Sequence, residues 1–173
     1  MTALTKMRGA SLIQLAALGL MGAFETVHMQ DQGLSEGRIG VVLAIENGLM
    51  IFTALLWGRL ADHTQRFKHC LTICTVGMVA TLAWFAQSQD FGDFVVYGVM
   101  RGLFFTGIVG LMPALALANL DPTKPGSGFG GYRRYGSIGF LWAASVMPLL
   151  FDGIATMSLV AMLYLPLSLW FVA

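Results

Sequence analysis

Apolar stretches of about 20 residues, the length a helix needs to cross a hydrocarbon core of about 30 Å, recur along this sequence from end to end. Six such spans run approximately over 9–30, 39–58, 69–88, 94–118, 135–151 and 154–173, joined by short polar connections such as DQGLSEGR, ADHTQRFK and QDFGD. Inside a bilayer every backbone N–H and C=O has to be satisfied within the structure, which leaves helices as the economical solution for spans of this length. The expected fold class is therefore all-α: one polytopic domain of six transmembrane helices over residues 1–173. Composition agrees, with 57% hydrophobic and 11% charged residues, against about 25% charged in an ordinary soluble domain. No small-residue cleavage pattern follows the first apolar run, so that span is expected to be retained.

A net charge of +1 implies no bulk attraction to nucleic acid, and the placement of the basic residues is the informative part. Lys6, Arg8, Arg59, Arg66, Lys68, Lys124, Arg133 and Arg134 all fall on one face, Arg38 falls on the other with Asp31, Glu36, Asp90, Asp93 and Asp152, and Arg101 falls on neither. The positive-inside rule then puts both termini in the cytoplasm of a multi-pass plasma (bacterial inner) membrane protein. Arg133 and Arg134 either touch anionic lipid headgroups or serve a cytoplasmic gate. Cys70 and Cys74 share a helix face, but two thiols are an incomplete metal site, and they read as small packing residues.

Span four is rich in glycine, and Gly98 and Gly102 have the four-residue spacing that lets helices approach closely. Span five opens with Gly136 and Gly139, which read as positions of tight helix packing. Pro113 and Pro148 lie within spans, where the missing N–H bends a helix. Trp57, Trp84, Phe91, Phe94 and Trp142 read as interface anchors; Trp84 and Tyr97 either belong to that belt or stack on a ring-shaped substrate.

One arginine sits inside the apolar run VMRGLFFTG. At 1.5 Å per residue, Glu25 lies roughly 8 Å below the outer end of span one, and Glu46 and Arg101 lie roughly 10 Å down spans two and four. Charge at membrane depth is expensive and normally faces a partner or a wet cavity. Glu25 or Glu46 is expected to neutralise Arg101, whose guanidinium cannot readily shed its charge. The other carboxylate is then a candidate to take up and release protons, with Arg101 exchanging between the two. Asn47, about 100° around the helix from Glu46, either lines the cavity or bonds a neighbouring backbone. His28 either tunes Glu25 at i,i+3 or sits at the wet surface, and Gln14 reads as an interhelical hydrogen bond.

Two segments carry a resemblance. WGRLADHTQRFKH resembles the loop between the second and third helices of the major facilitator superfamily through Gly58, Asp62, Arg66 and Lys68, with His63, Gln65 and Phe67 departing from that pattern. FGGYRRYGSIGF is similar to the start of helix five in the branch of sugar–proton and nucleoside–proton symporters and phenylpropionate-type permeases, through Gly130, Arg133, Gly136, Ser137, Gly139 and Phe140. The resemblance implies one six-helix half of a twelve-helix fold with the solute between the halves, and a cytoplasmic gate at Gly58, Asp62, Arg66, Lys68 and Arg133. The family also offers a helix-four arginine motif that Arg101, Leu103 and Gly107 partly match, alongside the reading of Glu25, Glu46, Arg101 and Asn47, from depth and charge, as the candidate proton-coupling and substrate residues. The implied partners are a small organic solute, protons, membrane lipids and a second six-helix half, supplied by a longer chain or by another copy. The end of the chain at SLWFVA favours a fragment. No cofactor or metal is expected, and without an HExxH, a GxSxG elbow or a phosphate-cradling loop no enzyme is expected either. The competing expectation is a non-transporting membrane subunit or docking factor on the same scaffold.

Overall fold

A computed structural model describes residues 3–22, 24–120, 125–150 and 154–170. Its elements are all helices: α1 (Ala3–Gly22), α2 (Glu25–Asp31), α3 (Glu36–Thr64), α4 (Phe67–Phe85), α5 (Phe91–Ala118), α6 (Pro125–Leu150) and α7 (Ile154–Trp170). Among the described residues, the segments Thr5–Asp31, Glu36–Thr64, Phe67–Phe85 and Phe91–Ala118 are each long and apolar enough to cross a membrane. The all-α membrane class expected from the sequence is what the chain forms. Lys124, Asp152 and the Pro148 side chain lie outside the described residues. α5 runs through Pro113 without interruption.

The chain divides into two compact units, one of residues 23–111 and one that joins residues up to Gly22 with those from Met112 onward. In the first, local chemistry sets each helix end. α2 stops at Gly33, whose φ of 81° is the left-handed geometry that glycine adopts without steric penalty. Gly33 N–H then reaches Gln30 O at 2.8 Å and Leu34 N–H reaches Met29 O at 3.1 Å, and buried Leu34 and Met29 complete a Schellman motif. α3 ends on Gln65 at φ 54°, a position where a non-glycine residue carries strain. Asp90 Oδ1 accepts from Asp93 N–H at 3.0 Å while Asp93 Oδ2 accepts from Gln89 N–H at 3.2 Å, a reciprocal cap that starts α5.

Glycines decide how α5 meets its neighbours. A Cβ on Gly98 would lie 3.1 Å from Val42 O, and one on Gly102 would lie 2.8 Å from Leu49 Cβ and 2.9 Å from Glu46 O. These helix faces touch backbone to backbone, as close spacing of small residues allows. Polar groups finish the seam. Thr53 Oγ1 donates to Gly102 O at 2.6 Å and meets Thr106 Oγ1 at 2.8 Å, and Trp57 Nε1 donates to Leu103 O at 2.7 Å. Phe85, Phe94, Tyr97, Met78, Leu82, Cys70 and Cys74 fill the buried interior, with both thiols free. On the outside of α3, Ile51, Phe52, Leu55 and Leu56 are all more than half exposed.

In the second unit α1 packs on α6 and α7. Gly19 has no room for a Cβ against the Phe140 backbone, and Gly139 has none against Leu12. Ser11 Oγ donates to Tyr132 O at 3.0 Å across this contact. Arg8 lies over the Tyr135 ring at 5.6 Å.

Candidate functional site

The site lies within the unit of residues 23–111 and follows from the α3–α5 seam. Gly102 brings the α3 backbone at Glu46 against α5, so the Glu46 side chain reaches its neighbour on α5, Arg101. Glu25, the first residue of α2, reaches the same guanidinium from another element. Arg101 Nη1 pairs with Glu25 Oε2 at 2.8 Å and with Glu46 Oε1. Side-chain exposures of 11% for Arg101, 5% for Glu25 and 3% for Glu46 exclude most solvent screening. The sequence left open which glutamate pairs with Arg101; in the structure both do, through one nitrogen. Phe105, one turn along α5, lies under the guanidinium with its centroid 4.9 Å from Cζ, a cation–π contact.

A second layer surrounds these charges. Tyr97 and Phe94 are fully buried, which corrects their reading as interface aromatics. Tyr97 packs on Phe85 at 4.3 Å, Phe85 packs on Phe94 at 5.9 Å, and His28 sets its edge on Phe85 at 4.9 Å and on Phe94 at 5.8 Å. His28 is therefore an interior residue, 9% exposed, and its reading as a surface histidine is corrected as well. The spacing Phe94, Tyr97, Arg101 is that of one helix face, a signal that an emphasis on distance from the span end overlooks. Trp84 and Trp142 are exposed.

The other expected residues are placed apart from the cluster. Asn47 is exposed and its Nδ2 donates to Leu43 O at 2.7 Å. Gly58 has nothing within 4 Å of a Cβ built on it. Asp62, Arg66 and Lys68 are exposed around the α3–α4 turn, and Asp62 O accepts from Gln65 Nε2 at 2.5 Å. Among the described residues no ion pair joins Asp62 to Arg66 or Lys68. Arg133 is exposed on α6, where its carbonyl accepts from Ser137 Oγ at 3.1 Å.

Comparison with known proteins gives a match to the MFS_1 like family over residues 4–173. The uncharacterized transporter YwbF of Bacillus subtilis (strain 168) is 30% identical over 112 residues, 64% of this chain and 27% of that protein. The maltose permease of Geobacillus stearothermophilus is 28% identical over 140 residues, 80% of this chain and 35% of that protein. The aspyridones efflux protein apdF of Emericella nidulans is 30% identical over 90 residues, 52% of this chain and 18% of that protein. The chain thus spans about a third or less of the length of these curated relatives. No solved structure matches significantly.

Proposed function

The chain belongs to the MFS_1 like family, within the major facilitator superfamily, and from that premise we propose that it forms the N-terminal half of a proton-coupled symporter for a small organic solute. It works by alternating access against a second six-helix half, both termini facing the cytoplasm. The observation that carries this reading is the sharing of one Arg101 nitrogen between Glu25 and Glu46 in a buried site. With one cation between two anions, a proton added to either carboxylate discharges it and leaves Arg101 to the other. Exchange of the guanidinium between α2 and α3 then accompanies proton uptake and release, and each arrangement favours a different access state. A passive scaffold has little reason to keep three ionisable groups at a depth where each costs about 3 kcal/mol by insertion scales.

Asn47, exposed beside Glu46, lines the solute path in this scheme. Gly58, Asp62, Arg66, Lys68 and Arg133 form the cytoplasmic gate. Exposed charge pairs there contribute about 0–1 kcal/mol each, enough to bias two nearly degenerate states.

The test is uptake by proteoliposomes that contain the full-length gene product under an imposed proton gradient. Maltose, named for one relative, is the first solute, followed by a panel of small sugars and nucleosides. Accumulation is expected in the unmodified protein, and Glu25→Gln and Glu46→Gln are expected to abolish accumulation while solute exchange persists. Full accumulation in both variants overturns the coupling role. No uptake of any solute favours the non-transporting subunit.

A further inference from the structure

The charge cluster holds an unusual concentration of unsatisfied groups. Glu25 Oε1, Glu46 Oε2, Arg101 Nε and Tyr97 Oη are all buried without a hydrogen-bond partner among the described residues. Interiors leave few polar atoms unpaired, so four gathered at one place mark a point where partners change. Tyr97 stands out among them, because no step of the coupling scheme uses it. It lies one turn before Arg101 on α5, so its ring and the guanidinium share a helix face. Phe85 holds that ring at 4.3 Å and is itself held by Phe94 and His28, which leaves the hydroxyl little freedom beyond its own rotation. The groups around the hydroxyl are Glu25 from α2, Glu46 from α3 and Arg101 from its own helix. From α4 the uncharged Phe85 ring packs on Tyr97, and His28 of α2 sets its edge on the same Phe85 ring.

A phenol is a neutral donor. Glu25 uses Oε2 on Arg101 and keeps Oε1 unpaired, and the Tyr97 hydroxyl lies within interaction range of that carboxylate. We infer that Tyr97 is a positioning residue of the coupling centre, whose hydroxyl donates to the Glu25 carboxylate in the interval when Arg101 has moved to Glu46 and Glu25 does not carry the proton. Without it, the transfer leaves a buried carboxylate bare, which disfavours the exchange. With it, the anion keeps one charge-assisted hydrogen bond, and the guanidinium is free to leave. The inference rests on the reading of Glu25, Glu46 and Arg101 as the proton-coupling centre.

Infrared titration of the full-length protein in lipid vesicles tests it. The carboxyl band that Glu25→Gln removes reports the protonation of Glu25. Tyr97→Phe keeps the ring and removes the donor to the anion, so the midpoint of that band is expected to move about one pH unit upward, a tenfold change in proton affinity. Thermal unfolding, which a packing role would alter, is expected to stay unchanged. A midpoint that does not move overturns the inference. The unmodified protein provides a second readout: a tyrosine ring mode is expected to change in step with the carboxyl band, and one that stays constant throughout overturns the inference even where Tyr97→Phe does not fold. Failure of the coupling reading is seen separately, as proton-driven uptake that survives both Glu25→Gln and Glu46→Gln.

Discussion

Arg101 meets two anions through Nη1 while its Nε has no hydrogen-bond partner among the described residues, and this arrangement sets what substitution there does. Arg101→Met leaves two buried carboxylates facing each other with nothing between them. Removal of one member of a buried ion cluster costs about 3–5 kcal/mol, so the melting temperature of the purified protein is expected to drop sharply. Arg101→Met combined with Glu46→Gln removes the repulsion and is expected to recover part of that loss; a double variant no more stable than Arg101→Met alone contradicts the pairing. The three charged residues were legible in the sequence because each interrupts an apolar run, and helix rise put them on one level. Tyr97 was not legible in the same way. An aromatic residue near the end of a span looks alike whether it faces a headgroup or an interior, and only its i,i+4 relation to Arg101 separates the two.

At the scale of elements, the helix seam is held by what glycine lacks. Gly102→Ala forces a Cβ to 2.8 Å from Leu49 Cβ and 2.9 Å from Glu46 O, which pushes α3 off α5 and lengthens the Glu46–Arg101 pair. Overpacking of this kind costs about 1–3 kcal/mol, to be read as a lower melting temperature. Gly110→Ala on the same helix meets nothing within 4 Å and is expected to leave stability unchanged or raise it by at most about 1 kcal/mol. Gln65 closes α3 in left-handed geometry, so Gln65→Gly is expected to stabilise the α3–α4 turn by about 1 kcal/mol through relief of that strain; a fall in the melting temperature contradicts it. The apolar run lengths made the membrane helices legible. The start of α2 at Glu25 was not, because the stretch ahead of it carries no proline and stays apolar.

For the whole molecule, the outward apolar faces set the environment. Ile51, Phe52, Leu55 and Leu56 on α3 are exposed by 68%, 71%, 60% and 56%, and full burial of each such side chain is worth about 1.5–3 kcal/mol. A chain of this kind belongs in lipid or against further membrane helices, so alkaline carbonate washes of membranes are expected to leave it in the pellet; release into the supernatant contradicts integral membership. Fold class was therefore the most legible level of all, since it depends on totals along a span rather than on the direction of any one side chain. The Phe105 ring beneath Arg101 carries its own consequence. In the proposed cycle, the cation–π attraction of this ring keeps the guanidinium over its face as it passes between its two anionic docks. Such a bearing guards against slippage, in which a proton crosses without its solute.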